Sequence, residues 1–143
     1  MAPPFQVTID CADPARLSEF WAVALGYKVQ DPPPGHATWH DFLAAQGVPE
    51  SEWNSASAIV DPAGVGSRVF FQQVSEPKTT KNRVHIDVNV GDHDLPADER
   101  RTRVAAHVER LVAAGATRTG EIDKRGEHWV VLQDPEGNEL CIQ

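Results

Sequence analysis

Residues 82–90 read NRVHIDVNV. Polar and apolar residues alternate there as they do along a half-buried strand, so His85 and Asp87 share one face of it. An imidazole beside a carboxylate can ligate a divalent ion through a neutral ring nitrogen, or offer hydrogen bonds and a proton acceptor to a small molecule. It can also do neither, the two groups satisfying each other or a tryptophan and filling space. The end of the chain, NELCIQ, places Glu139 and Cys141 on one face of another strand by the same parity. A thiol in that setting acts first as a small buried hydrophobe. It becomes a nucleophile only where a neighbour such as His85 lowers its pKa. Near the start, QVTIDC puts Gln6, Thr8 and Asp10 on one face and Val7, Ile9 and Cys11 on the other.

The elements that carry these residues occur twice. Val7, Ile9 and Asp10 answer to Val84, Ile86 and Asp87 at a constant offset, which is the mark of an internal repeat. A helix is expected after each strand. In DPARLSEFWAVALGY, Asp13 is a natural N-cap, Pro14 a first helical residue and Gly26 a terminator. Leu17, Phe20, Trp21, Ala24 and Leu25 form its apolar stripe. Val104, Val108, Leu111 and Val112 form a second stripe, ended by Gly115. Each half then closes with strands around an Asp-Pro turn, at Asp61-Pro62 and Asp134-Pro135. The helices should cover Val7, Ile9, Val84, Ile86 and Val88, leaving Gln6, Thr8, His85 and Asp87 on the opposite side. A slip of one residue would bury aspartate and expose valine in both halves, so the register is well specified.

The 143 residues suit one domain built of two modules, about 5–73 and 83–143, joined by a polar linker over about 74–82. Thirteen Lys and Arg against twenty-one Asp and Glu give a net charge of -8, which opposes nucleic-acid binding. No apolar run is long enough to span a bilayer. MAPPFQVTID lacks a basic stretch followed by an apolar one, so a cytoplasmic location and two free thiols, Cys11 and Cys141, are expected. The basic run KTTKNR leads into the His85 strand and reads as a solvated loop that could also meet an anion.

One segment, 37–57, has no counterpart in the second half. It reads as a short helix, a stop at Gly47 and a turn led by Pro49, with Trp39, Phe42 and Leu43 available to pack it on the sheet. Such an insertion borders a binding site or covers an edge. Trp39 and Trp53 belong to it, Trp129 opens the strand HWVVLQ, and aromatic walls of this kind suit flat ligands. Ordinary packing accounts for each tryptophan equally well.

The segments VTIDCADPARLSEFWAVALGY, KNRVHIDV and VVLQDPEGNELCIQ, in this order, resemble the vicinal oxygen chelate superfamily, in its glyoxalase and bleomycin-resistance branch. The resemblance implies an α+β fold of two βαβββ modules, a mixed sheet curled into a cup with helices outside, and a ligand or metal inside. It also implies pairing of chains into a homodimer. The family's metal positions lie on the first and last strand of each module. They fall on Gln6 and His85, on Cys141 where metalloenzymes of the family have Glu, and on Phe70 or Gln72. Hard divalent ions prefer carboxylate, imidazole and water, so this set departs from the pattern. Glu139, with Gln6 and His85, would supply a conventional set if a metal is present, and Asp10 or Asp87 could substitute for the carboxylate. No cofactor is therefore firmly expected. The expected ligand is a small molecule met by Gln6, Thr8, Trp39, Trp53, Phe70, Gln72, His85, Asp87, Trp129 and Cys141. The alternative is a metal-dependent lyase, isomerase or dioxygenase.

Overall fold

A computed structural model describes residues 1–143. The chain divides into two compact units, the first comprising Met1–Ala22 and Gly26–Pro77, the second Val23–Leu25 and Lys78–Gln143. Each contains a four-stranded mixed sheet, and together they give the α+β, twofold βαβββ architecture.

The first sheet is built from β1 (Val7–Cys11), β2 (Lys28–Val29), β3 (Ala56–Val60) and β4 (Val69–Gln73), in the order β1-β4-β3-β2. Helix α1 (Pro14–Leu25) follows β1. Asp13 caps it by accepting the Arg16 N–H, Pro14 opens it, and Gly26 ends it at φ 67°, a left-handed turn open to glycine at little cost. Leu17, Phe20, Trp21 and Ala24 are all buried. Ser18 is buried among them and accepts the Ser57 hydroxyl of β3 at 2.8 Å, which fixes the face of the sheet that the helix covers. That face carries Ile9, Ile59, Val69 and Phe71; Thr8, Asp10, Phe70 and Gln72 lie opposite.

The second sheet repeats the plan with β5 (Ile86–Val88), β6 (Thr117–Lys124), β7 (Glu127–Gln133) and β8 (Glu139–Ile142), in the order β5-β8-β7-β6. Helix α3 (Ala97–Ala113) contacts β7 and β8. Val88, Val130, Leu132, Leu140 and Ile142 form the buried side. Arg125 (φ 55°) and Gly126 (φ 82°) make the tight hairpin between β6 and β7, with the positive φ at both positions that suits the sheet's twist.

Three expectations are corrected. Val84 is 83% exposed and lies ahead of β5, rather than beneath a helix. Pairing with β8 begins only at Ile86–Leu140; upstream, the Asn82 N–H donates to the Glu139 side chain at 3.0 Å, so the segment leaves the ladder. In α3 the fourth inward residue is His107, and Val112 is 46% exposed. The inserted segment does form α2 (Trp39–Ala45), a stop at Gly47 and a 3-10 turn over Glu50–Glu52, but α2 buries no residue. Its Phe42 packs edge-on against Trp39 and His36.

Candidate functional site

On the second sheet His85, Asp87 and Cys141 come together. Asp87 pairs directly with Cys141 across β5 and β8. His85 Nδ1 lies 2.9 Å from Asp87 Oδ1. One ligand atom from each of the three falls within 4.8 Å of the others. The His85 and Asp87 side chains are about half open to solvent, whereas Cys141 is buried. Burial raises the Cys141 pKa, and the Asp87 charge and its hydrogen bond to the thiol raise it further. The thiol is therefore held protonated, the reverse of what a nucleophile needs. Register puts Trp129 and Val131 on the same face as Cys141, which settles the side on which Trp129 lies.

Glu139 shares the parity of Cys141 but is engaged elsewhere. It accepts the Asn82 N–H at 3.0 Å and pairs with Lys78 at 3.2 Å, and these interactions, the Asn82 bond first, depress its pKa. It does not belong to the group formed by His85, Asp87 and Cys141.

On the first sheet, Gln72 donates its side-chain amide to Asp10 at 2.9 Å. The register pair Asp10–Gln72 stands where the second sheet has Asp87–Cys141. Topology thus makes Gln72 the counterpart of Cys141, and Thr8 the counterpart of His85, instead of Phe70 and Gln6. Gln6 donates to Thr8 at 3.4 Å and accepts from Arg68 Nη1 at 2.6 Å. Phe70, beside Thr8 in the register, lies under the Arg68 guanidinium at 5.3 Å. Trp39 reaches the end of β2, donating Nε1 to the Gln30 carbonyl at 2.7 Å. Trp53 stays within the inserted segment: it bonds the Val48 carbonyl and stacks on His40 at 4.8 Å. Gln6, Thr8, Phe70, Gln72 and Trp39 therefore belong to the first unit, and His85, Asp87, Trp129, Glu139 and Cys141 to the second. Sequence reasoning missed Arg68. Its signal was parity: it stands two residues before Phe70, on the same side of the strand.

Two mixed sheets of βαβββ topology, each with a helix on one face and polar side chains on the other, define the glyoxalase and bleomycin-resistance class of fold, within the vicinal oxygen chelate superfamily. More narrowly, the chain belongs to the glyoxalase-like domain family, whose model matches residues 6–143. Among solved structures it is similar to a glyoxalase/bleomycin resistance protein/dioxygenase family enzyme from Burkholderia phytofirmans PsJN (18% identity, TM-score 0.61, covering 96% of this chain and 94% of that one). A possible glyoxalase from Bacillus cereus gives 12% identity and a TM-score of 0.62, over 100% and 99% of the two chains. A mutant of the fosfomycin resistance protein FosX from Listeria monocytogenes, complexed with Mn(II) and a dihydroxypropylphosphonic acid, gives 10% identity and a TM-score of 0.62, over 100% and 90%. At these identities the likeness is one of fold. No curated protein matches the chain in sequence. No helix is long and apolar enough to cross a membrane.

Proposed function

We propose that the chain binds a small, flat organic molecule on the polar strand faces just described, without a firmly held metal. The observation that carries this reading is the state of Cys141. It stands at the last-strand position where metalloenzymes of the superfamily place a carboxylate, and it offers a buried sulfur instead of an anionic oxygen. A hard divalent ion gains little from a sulfur ligand. The nearest carboxylate on that strand, Glu139, is held by Lys78 and Asn82. The donor set thus does not fit the ion the fold family implies. Half-exposed His85, with Asp87 setting its orientation, serves instead as a hydrogen-bonding partner for the ligand. The proposal includes a homodimer, as the family resemblance suggests, and a cytoplasmic location.

A second reading has one observation in its favour. The His85, Asp87 and Cys141 ligand atoms converge within 4.8 Å, and loss of the thiol proton would turn them into a site for a softer ion such as zinc. A metal there would polarise adjacent oxygens of a substrate, as a lyase, isomerase or dioxygenase requires.

Elemental analysis of protein purified without chelators or an affinity-tag metal separates the two. The expected result is far less than one metal per chain, unchanged in His85→Ala, with ligand affinity in that variant weakened by about 1–3 kcal/mol. Stoichiometric metal that disappears in His85→Ala would establish the second reading. A His85→Ala chain that does not fold would give His85 a structural role and remove both.

A further inference from the structure

Arg68 is half-buried at the entry to β4 and has no acidic partner within ion-pair range, in a chain with twenty-one Asp and Glu. Two other arginines pair with carboxylates, Arg101 with Asp123 at 2.6 Å and Arg118 with Glu121. Arg68 is held by neutral groups. Its Nε donates to Gln30 Oε1 at 2.8 Å and its Nη1 to Gln6 Oε1 at 2.6 Å. The guanidinium lies over the Phe70 ring. Both N–H groups of Nη2 have no acceptor in the protein. The two glutamine oxygens orient the fork but leave its charge uncompensated, and a partly buried cation without a counterion is costly unless something anionic completes it.

The surroundings are those of a ligand subsite. Thr8 neighbours Phe70 in the register and accepts from Gln6, so its hydroxyl proton is free to donate. Trp39 is bonded to the carbonyl of Gln30, the residue whose side chain holds Arg68. A charged guanidinium with free Nη2 donors matches a carboxylate oxygen, and the neighbouring aromatic surface matches a flat ring.

We propose that Arg68 is the anion-binding residue of the first unit, and that the small molecule taken there is an aromatic carboxylic acid in its ionised form. This rests on the small-molecule reading above and names its ligand class. Benzoate and benzamide are suitable probes, being nearly the same shape and differing in charge. Titrations followed by amide and Arg Nε–H chemical shifts should show benzoate binding roughly tenfold or more tighter than benzamide, as a charge-assisted pair implies. The shifts should centre on Thr8, Arg68 and Phe70. Arg68→Met should abolish the preference for benzoate, and Arg68→Lys, with charge but no fork, should keep part of it. Equal affinity for the two probes overturns the anion assignment and leaves small-molecule binding standing. Failure of both probes to bind overturns both. Shifts centred on the separate cleft lined by His93, Arg100 and His128 would also refute the role of Arg68. The comparison of probes is made on the unaltered chain, so a folding defect in Arg68→Met does not spoil the test.

Discussion

On the first sheet Asp10 accepts the side-chain amide of Gln72; on the second Asp87 holds the thiol of Cys141. The two pairs occupy one place in the repeated topology, yet one is an open amide–carboxylate contact and the other half encloses a sulfur. The next residues along the same faces differ more. Thr8 accepts from Gln6, which also holds Arg68, and lies beside Phe70 in the register, while His85 bonds Asp87 with the Cys141 thiol close by. The sides that face the helices are alike in being apolar: valine, isoleucine and phenylalanine on the first sheet, valine, leucine and isoleucine on the second. Packing demands only apolar volume in the right place, so the buried faces of the two modules stay similar. The open faces answer to whatever they meet, and there the modules have become different: amide and guanidinium on one, imidazole, carboxylate and thiol on the other.

The two Asp-Pro turns offer the strongest way to test how far the modules are equivalent. Asp61 accepts the N–H groups of Ala63, Val65 and Gly66 from an open position, the Gly66 bond being the main reason its pKa is lowered. Asp134 accepts the N–H of Glu136 and Asn138 and the Asn138 side chain while only 3% exposed. Asp134→Ala should cost about 2–4 kcal/mol, because buried donors lose an acceptor that water cannot replace. Asp61→Ala should cost clearly less, since water can reach its donors. Urea unfolding of both variants checks this; equal losses would mean that the turns act alike regardless of burial.

Most of this frame was legible in the sequence. Asp13, Pro14 and Gly26 delimit α1 by local chemistry, and the residue spacing named its buried stripe. Both Asp-Pro turns and the parity of His85, Asp87 and Cys141 followed from strand alternation. What escaped depends on partners distant along the chain. Glu139 looked available because parity says nothing of Lys78 and Asn82. Arg68 went unnoticed because its isolation from carboxylates appears only when Gln6 and Gln30 are brought beside it. Equating Gln6 with His85 overlooked the repeat's own offset, which aligns Thr8 with His85.

The helices sharpen the comparison at a middle scale. Leu17, Phe20, Trp21 and Ala24 in α1 have the spacing of Val104, His107, Val108 and Leu111 in α3, so His107 takes the place of Phe20. His107 donates Nε2–H to the Ala24 carbonyl, 2.9 Å away, and the last turn of α1 groups with the second unit. Desolvation lowers the His107 pKa below 6.5, outweighing the Ala24 bond. The native fold therefore keeps a neutral ring while the unfolded chain takes up a proton first. This contribution is complete above pH 6.5 and is lost as pH falls through the lower, folded value. Chemical unfolding across that interval should show the slope, and His107→Phe should flatten it at a cost of about 1 kcal/mol for the carbonyl left unpaired. An unchanged slope in His107→Phe would assign the titration to another group.

The smallest effect concerns the strands that open the modules. β1 runs for five residues and β5 for three, although VTIDC and VHIDV share valine, isoleucine and aspartate at a constant offset. Val7 is half-buried, whereas its counterpart Val84 is 83% exposed. The Asn82–Glu139 bond draws the chain off the ladder before Val84 can pair. Val84→Ala should then change stability by less than about 0.5 kcal/mol, as an exposed substitution does. Val88→Ala, at a position only 8% exposed in the same strand, should cost about 2 kcal/mol. Thermal unfolding of the two variants side by side measures the contrast. A Val84→Ala loss approaching that of Val88→Ala would mean that β5 begins upstream in solution, covers Val84 as β1 covers Val7, and restores the symmetry that the alternating sequence suggests.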